Sequence, residues 1–149
     1  MIDVDLVYLW VNGNDPKWIA KRQAFLADYT ENEESCKGRY FDNEELKYSL
    51  RSVEKYAPWI RRIFIVTDNQ VPVWLDTSHP KVQIVDHTEI MPPECLPCYN
   101  SVIIEHHLHK IPGLSEHFLS EGVRCGSCRG LCTEVSCCER GLSRASCRE

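Results

Sequence analysis

Residues 2–18 read IDVDLVYLWVNGNDPKW, and the fold turns on how this stretch is understood. Its middle, Val4 to Val11, is a short apolar, β-branched and aromatic run, the pattern of a strand buried on both faces. Asn12, Gly13, Asn14, Asp15 and Pro16 follow as a turn. Pro16 suits the first position of a helix, where a missing N–H costs nothing and the ring presets φ. Trp18, Ile19, Phe25 and Leu26 are the apolar positions of that helix. The order is strand, loop, helix.

Further along, the polar stretch Thr30 to Lys37 reads as an exposed loop. Asp42 or Asn43 is expected to cap a helix with apolar positions Leu46, Leu50 and Val53, which Pro58 ends. Second and third buried strands are predicted at Ile63–Thr67 and Val82–Val85, separated by a loop with Pro72 and a break at His79 and Pro80. Pro92, Pro93 and Pro97 mark an irregular crossing. A helix over Ser101–Lys110 follows, with Ile103, Ile104 and Leu108 facing inward, and Phe118 and Leu119 begin another strand. Strands and helices alternate, so the fold class is α/β. Ser120–Glu149 has neither period and is expected to be an irregular tail.

The 149 residues fit one domain with one core. With 43% hydrophobic and 26% charged residues and a formal net charge of -5, the chain has no general attraction for nucleic acid or anionic membranes. It contains no run of about 20 apolar residues, hence no integral membrane segment is expected. No charged leader or apolar signal core precedes the first strand, which predicts a cytoplasmic location. The nine cysteines are unevenly spread: Cys36, Cys95 and Cys98 precede residue 120, and six crowd between Cys125 and Cys147. That tail has no Trp, Tyr, Phe, Lys or Pro.

In an open α/β sheet, ligands sit outside the carboxyl ends of the strands, which directs attention to the loops after Val11, Thr67 and Val85. Asn12, Gly13 and Asp15 follow the first strand and offer hydrogen bonds and close backbone approach; Asp68, Asn69 and Gln70 follow the second. The same residues are also ordinary turn formers. Arg39, Asp42, Asn43 and Glu44 lie at or before a helix start, where free amides favour a phosphate, although Asp42 and Asn43 equally serve as caps and Arg51 and Lys55 as solvated charges. Glu105 and His109, four residues apart, would share a helix face, either as a proton-transfer pair or as a surface ion pair. His107 falls on the apolar side, as a satisfied core histidine.

Three long strings carry a family resemblance: IDVDLVYLWVNGNDPKW, FDNEELKYSLRSVEKYAPWIRRIFIVTDNQVPVWL, and LPCYNSVIIEHHLHKIPGLSEHFL. They resemble the first block and most of the second block of the Stealth family of hexose-1-phosphate transferases. This divides the chain into a partial transferase domain, 1–119 (first block 1–18, second block 39–119), and a tail, 120–149. The resemblance implies a Rossmann-like, mostly parallel sheet with flanking helices, incomplete here. It also implies an enzyme of capsular or exopolysaccharide synthesis, similar to the animal lysosomal-enzyme N-acetylglucosamine-1-phosphotransferase. Such an enzyme moves a sugar-1-phosphate from a nucleotide sugar donor to a hydroxyl of a sugar or polysaccharide acceptor, with Mg2+ or Mn2+ as cofactor. Carried onto this chain, Asn12, Gly13 and Asp15 would meet the nucleotide sugar. Arg39, Asp42, Asn43 and Arg51 would line the phosphate region, and Asn100, Glu105 and His109 the acceptor side; Asn69 joins the substrate-binding set from its place after the second strand.

After GLSEHFL the family continues into a strand ending in Asn-Asp-Asp, whereas this chain continues SEGVRCGSC. The expected metal ligands are therefore missing, and the chain is expected to be a truncated or frame-shifted copy without activity of its own. The competing expectation is a non-catalytic binding module whose tail folds around zinc, with Cys95, Cys98, Cys125, Cys128, Cys132, Cys137 and Cys138 as candidate thiolates.

Overall fold

The computed structural model describes residues 2–27 and 40–122. Four parallel strands form one sheet in the order β3-β2-β1-β4: β1 Val4–Leu9, β2 Ile63–Thr67, β3 Val82–Asp86 and β4 His117–Gly122. Helices α1 (Pro16–Leu26) and α2 (Glu45–Tyr56) lie between β1 and β2; single turns α3 (His87–Ile90) and α4 (Ser101–Glu105) lie between β3 and β4. The sheet is the expected α/β arrangement.

The pleat sends alternate residues to opposite sides, and both sides are covered. Val7, Phe64, Val66, Val85 and Phe118 face Ile90, Met91, Ile104, Leu108 and Ile111. Leu6, Tyr8, Trp10, Ile63 and Ile65 face Leu46 and Ile60, with Leu50 and Val53 of α2 alongside. Each fully buried aliphatic or aromatic side chain contributes about 1.5–3 kcal/mol, so β1 and β2 are the best-anchored strands. Tyr8 is wholly buried, and its hydroxyl shares a hydrogen bond with Ser49 Oγ of α2 at 2.7 Å.

One buried carboxylate ties three strands together at their amino ends. Asp5 Oδ1 accepts from Arg61 Nε at 2.9 Å and from the Arg62 amide at 3.2 Å; Oδ2 accepts from Arg61 Nη2 and from the Ser115 amide at 2.8 Å. Arg61 and Arg62 immediately precede β2, and Ser115 lies two residues before β4. All the acceptor capacity of a fully buried charge is thereby used by charge-assisted bonds, which is what makes its burial tolerable.

Several boundaries differ from those the sequence predicts. β1 ends at Leu9 rather than Val11, and β3 runs one residue further, to Asp86. Neither Asp42 nor Asn43 caps α2: the capping position is Glu44, in the left-handed region at φ 64°, while Asp42 accepts from the Glu44 amide at 3.1 Å. The predicted Ser101–Lys110 helix breaks after Glu105 and resumes as a 3-10 turn, Leu108–Lys110. The break leaves Ile103 exposed while Ile104 and Leu108 stay buried. β4 continues to Gly122, so Ser120, Glu121 and Gly122 belong to the sheet rather than to an irregular tail. The Thr30–Lys37 loop, Arg39 and the six tail cysteines lie outside the described residues.

Asp5→Ala is expected to destabilise the chain by about 3 kcal/mol, since it removes the carboxylate that pairs the Arg61 guanidinium and two part-buried amides, and Asp5→Asn by less because its amide oxygen still accepts. Urea unfolding midpoints at unchanged slope measure this. Equal stability of wild type and Asp5→Ala would contradict it.

Candidate functional site

A cavity of about 100 Å³ opens at the carboxyl ends of β1, β2 and β3. Its wall comes from the strand ends (Leu9, Trp10, Val11, Val66, Asp68, His87), from Trp18 of α1, and from Tyr40, Asp42 and Glu45 before and at the start of α2. Cys98, Tyr99, Ser101 and Ile104 close the far side. Of the loops singled out by the sheet rule, those after Thr67 and Val85 contribute Asp68 and His87, whereas the loop after Val11 adds no lining residue beyond Val11 itself.

The loop after β1 is held by its own neighbours. Gln70 Oε1 accepts from the Asn12 amide at 2.8 Å, while Gln70 Nε2 donates to the Asn12 carbonyl at 3.1 Å and to Asp15 Oδ2 at 3.2 Å. Asn12 Oδ1 accepts from the Asn14 amide, and Asp15 caps α1 by accepting from the Lys17 amide at 2.9 Å. The Lys17 amide first, and then Gln70, hold the Asp15 carboxyl below the usual range. Gly13 donates its amide to the Tyr40 carbonyl at 2.8 Å, and a Cβ there would come within 2.1 Å of that oxygen. The glycine therefore permits close approach, as expected, but by the chain's own backbone.

Of the residues predicted from sequence, Asp42 lines the cavity. Asn12, Gly13 and Asp15 do not line it; they lie in the next loop segment, bonded to Gln70, Tyr40 and Lys17. Asn69 sits beyond Asp68 at φ 53° with its amide on Asp86, and Asn43 is exposed, its amide and side chain bonded to Glu45. Asn100 caps α4 through the Val102 amide at 3.0 Å. Arg51 lies on the outward face of α2, away from the cavity wall. Glu105 and His109 are not one helix face, because the helix ends between them, and no hydrogen bond or ion pair joins them. His107 is half-buried, with Nδ1 on the Ile103 carbonyl at 2.8 Å.

The distinctive feature was not predicted. Among the described residues, seven buried polar atoms have no hydrogen-bond partner: Trp10 Nε1, Trp18 Nε1, Arg22 Nε, Thr67 Oγ1, Asp68 Oδ2, His87 Nδ1 and the Tyr99 hydroxyl. Five of these residues line the cavity, Thr67 adjoins Asp68, and Arg22 packs its guanidinium 5.0 Å from the ring centre of cavity-lining Tyr40. Each unsatisfied buried group costs about 1–3 kcal/mol, so finding them together at one strand-end cavity points to a polar ligand. Lys21 of α1 engages the other oxygen of Asp68 at 2.5 Å and supplies a cation beside it. Burial lifts the Tyr99 hydroxyl to about 12, and Asp68 adds to the rise. Sequence reasoning names Asp68 among the polar residues after the second strand but gives it no role, and misses His87, which opens α3 directly after β3.

Of these atoms, Asp68 Oδ2 and His87 Nδ1 are of a kind that ligates metals, but they stand among groups that are not. Indole and guanidinium N–H groups cannot ligate a cation, and among the described residues no three of His, Cys, Asp and Glu stand close enough to share one. Cys95 is exposed and Cys98 buried, the latter directed at the Asn100 carbonyl.

The family model for Stealth protein conserved region 1 matches residues 3–30, and that for conserved region 2 matches residues 39–121. The chain belongs to the Stealth family. An exopolysaccharide phosphotransferase of Streptomyces coelicolor is 50% identical over 117 residues, covering 78% of this chain and 20% of that protein. A capsular polysaccharide phosphotransferase of Haemophilus influenzae is 48% identical over 120 residues, covering 79% and 33%. One from Actinobacillus pleuropneumoniae is 46% identical over 121 residues, covering 78% and 33%. This Stealth chain thus spans a fifth to a third of the length of these relatives. Among its described residues, no helix is long and apolar enough to cross a membrane.

Burial pushes the His87 imidazole below its ordinary 6.5, against the pull of the Asp68 and Asp86 carboxylates. Below about pH 6.5 the unfolded chain therefore takes up a proton that the folded chain refuses, and stability falls as pH drops toward the depressed value. Thermal melts from pH 7.5 to 5.5 are expected to fall less steeply for His87→Gln than for the wild type. Parallel curves would show that His87 is not the cause.

Proposed function

We propose that the cavity receives one ring of the donor of a sugar-1-phosphate transfer, a nucleotide sugar, and that the chain is the donor-binding part of a capsular or exopolysaccharide phosphotransferase. The observation that carries this reading is the convergence of orphaned polar atoms at the strand ends. A polar ring with carbonyl and N–H or hydroxyl groups satisfies indole donors and a carboxylate acceptor together, and the aromatic wall of Trp18, Tyr40 and Tyr99 offers it stacking surfaces. The names of the relatives support the same class of reaction.

In that reaction the acceptor hydroxyl oxygen bonds to the phosphorus that carries the sugar. The bond from that phosphorus to the bridging oxygen breaks, and the hydroxyl loses its proton. Nucleoside monophosphate leaves with the bridging oxygen. Such chemistry depends on positioning and charge stabilisation, which assigns Lys21 and Asp68 to donor contact and Asn12, Gly13 and Asp15 to holding the frame. Asp42 stays at the phosphate side with Asn43 and Arg39 nearby in sequence, and Asn69 at the rim. Asn100, Glu105 and His109 are assigned to the acceptor side, next to cavity-lining Ser101 and Ile104. The reading includes no step through Mg2+ or Mn2+, since the described residues do not form a cage for one.

Calorimetric titration of the full chain with UDP-, GDP- and CMP-linked sugars tests this. At least one is expected to bind, with affinity reduced roughly tenfold in Asp68→Ala and unchanged in the exposed control Asp76→Ala. Failure of all three donors, or equal binding by Asp68→Ala, would overturn the proposal.

A further inference from the structure

Helical geometry places Tyr48, Arg51, Ser52, Lys55 and Tyr56 on one outward face of α2, and Trp59 follows in the next turn. The three aromatics are 62%, 71% and 59% exposed, so they contribute little to the core. The two cations lie over the tyrosine rings: Arg51 is 5.8 Å from the Tyr48 ring centre, and Lys55 Nζ is 5.0 Å from that of Tyr56. Among the described residues neither cation forms an ion pair, and the one carboxylate between Tyr48 and Tyr56, exposed Glu54, lies beside Arg51 at the edge of the face rather than among the aromatic rings. On a chain of net charge -5 this is a local cationic, aromatic strip.

We infer that this strip binds a polysaccharide chain bearing phosphodiesters. Pyranose rings present flat C–H faces that pack on exposed aromatic rings, and phenol hydroxyls and guanidinium groups reach the hydroxyls and phosphates along the edge. The inference rests on the proposed transfer, because joining a sugar-1-phosphate to a hydroxyl creates a phosphodiester and so an anionic polymer. Charge therefore complements the strip. The 12 residues of α2 make a track of about 18 Å, and at its amino end Phe41, Asp42 and Glu45 line the cavity. A polymer lying along α2 is thus led toward the cavity's edge.

Native electrophoresis of the full chain through gels containing phosphomannan, with neutral dextran for comparison, tests this without any nucleotide sugar present. Phosphomannan is expected to retard the wild type more than dextran does. The apparent affinity should fall roughly tenfold in Tyr48→Ser/Tyr56→Ser and similarly in Arg51→Gln/Lys55→Gln, with unfolding midpoints unchanged. Absence of retardation, or retardation insensitive to the tyrosine pair, would overturn the inference. So would a wild-type dimer in sedimentation that the tyrosine variant dissolves, since the face would then belong to a second copy. A chain retarded by phosphomannan that binds no nucleotide sugar would sink only the donor proposal, and the reverse result only this one.

Discussion

The Asp5 carboxylate lies in the middle of the sheet with no access to water, yet it is fully bonded to Arg61, the Arg62 amide and the Ser115 amide. Its four contacts come from the segments entering β2 and β4, the two neighbours of β1. A parallel sheet has no tight hairpins to set its register, so contacts between distant parts of the chain must do it. Asp5 performs this at the amino ends, and the consequences appear at the opposite ends, where the strands deliver Trp10, Asp68 and His87 to one cavity.

At that carboxyl end the solution is different. Gln70 grips the Asn12 backbone through both ends of its amide, and Gly13 passes beneath the Tyr40 carbonyl. The loop's polar groups are satisfied, whereas five cavity-lining residues each carry a buried polar atom without a partner. Hydrogen-bonding capacity here goes to holding the loop, while Trp10, Trp18, Asp68, His87 and Tyr99 each keep one buried polar atom unpaired, the atoms that the donor proposal assigns to a ligand. In a Stealth chain that covers a fifth to a third of its relatives' length, the lining found among the described residues falls within residues 9–104.

Much of the scaffold was legible because it rests on short-range pattern. β2 coincides with the predicted Ile63–Thr67, an apolar run bounded by charge on both sides, and Pro16 opens α1 as its chemistry requires. Failures came where tertiary contacts decide. Glu44 adopts a left-handed conformation that no local rule favours over the Asp42 and Asn43 caps, and the helix predicted through Lys110 breaks where His106 and His107 turn their rings back onto the Val102 and Ile103 carbonyls. The site was half legible. Strand-end loops could be named from the α/β pattern, but Trp10 and Trp18 read as core residues, because an indole N–H becomes a binding group only when its surroundings lack a partner. Asn12 and Asp15 read as ligand contacts because Gln70, 55 or more residues away, could not be seen to occupy them.

The claim on which the rest depends is that these orphaned atoms are a ligand's contacts. Proton–nitrogen spectra of the tryptophan side chains test it directly, since Trp10 and Trp18 face the cavity while exposed Trp59 serves as an internal reference. Adding the nucleotide sugar that binds is predicted to move the Trp10 and Trp18 indole signals and leave that of Trp59 in place. Unmoved Trp10 and Trp18 signals at saturating nucleotide sugar would contradict the account.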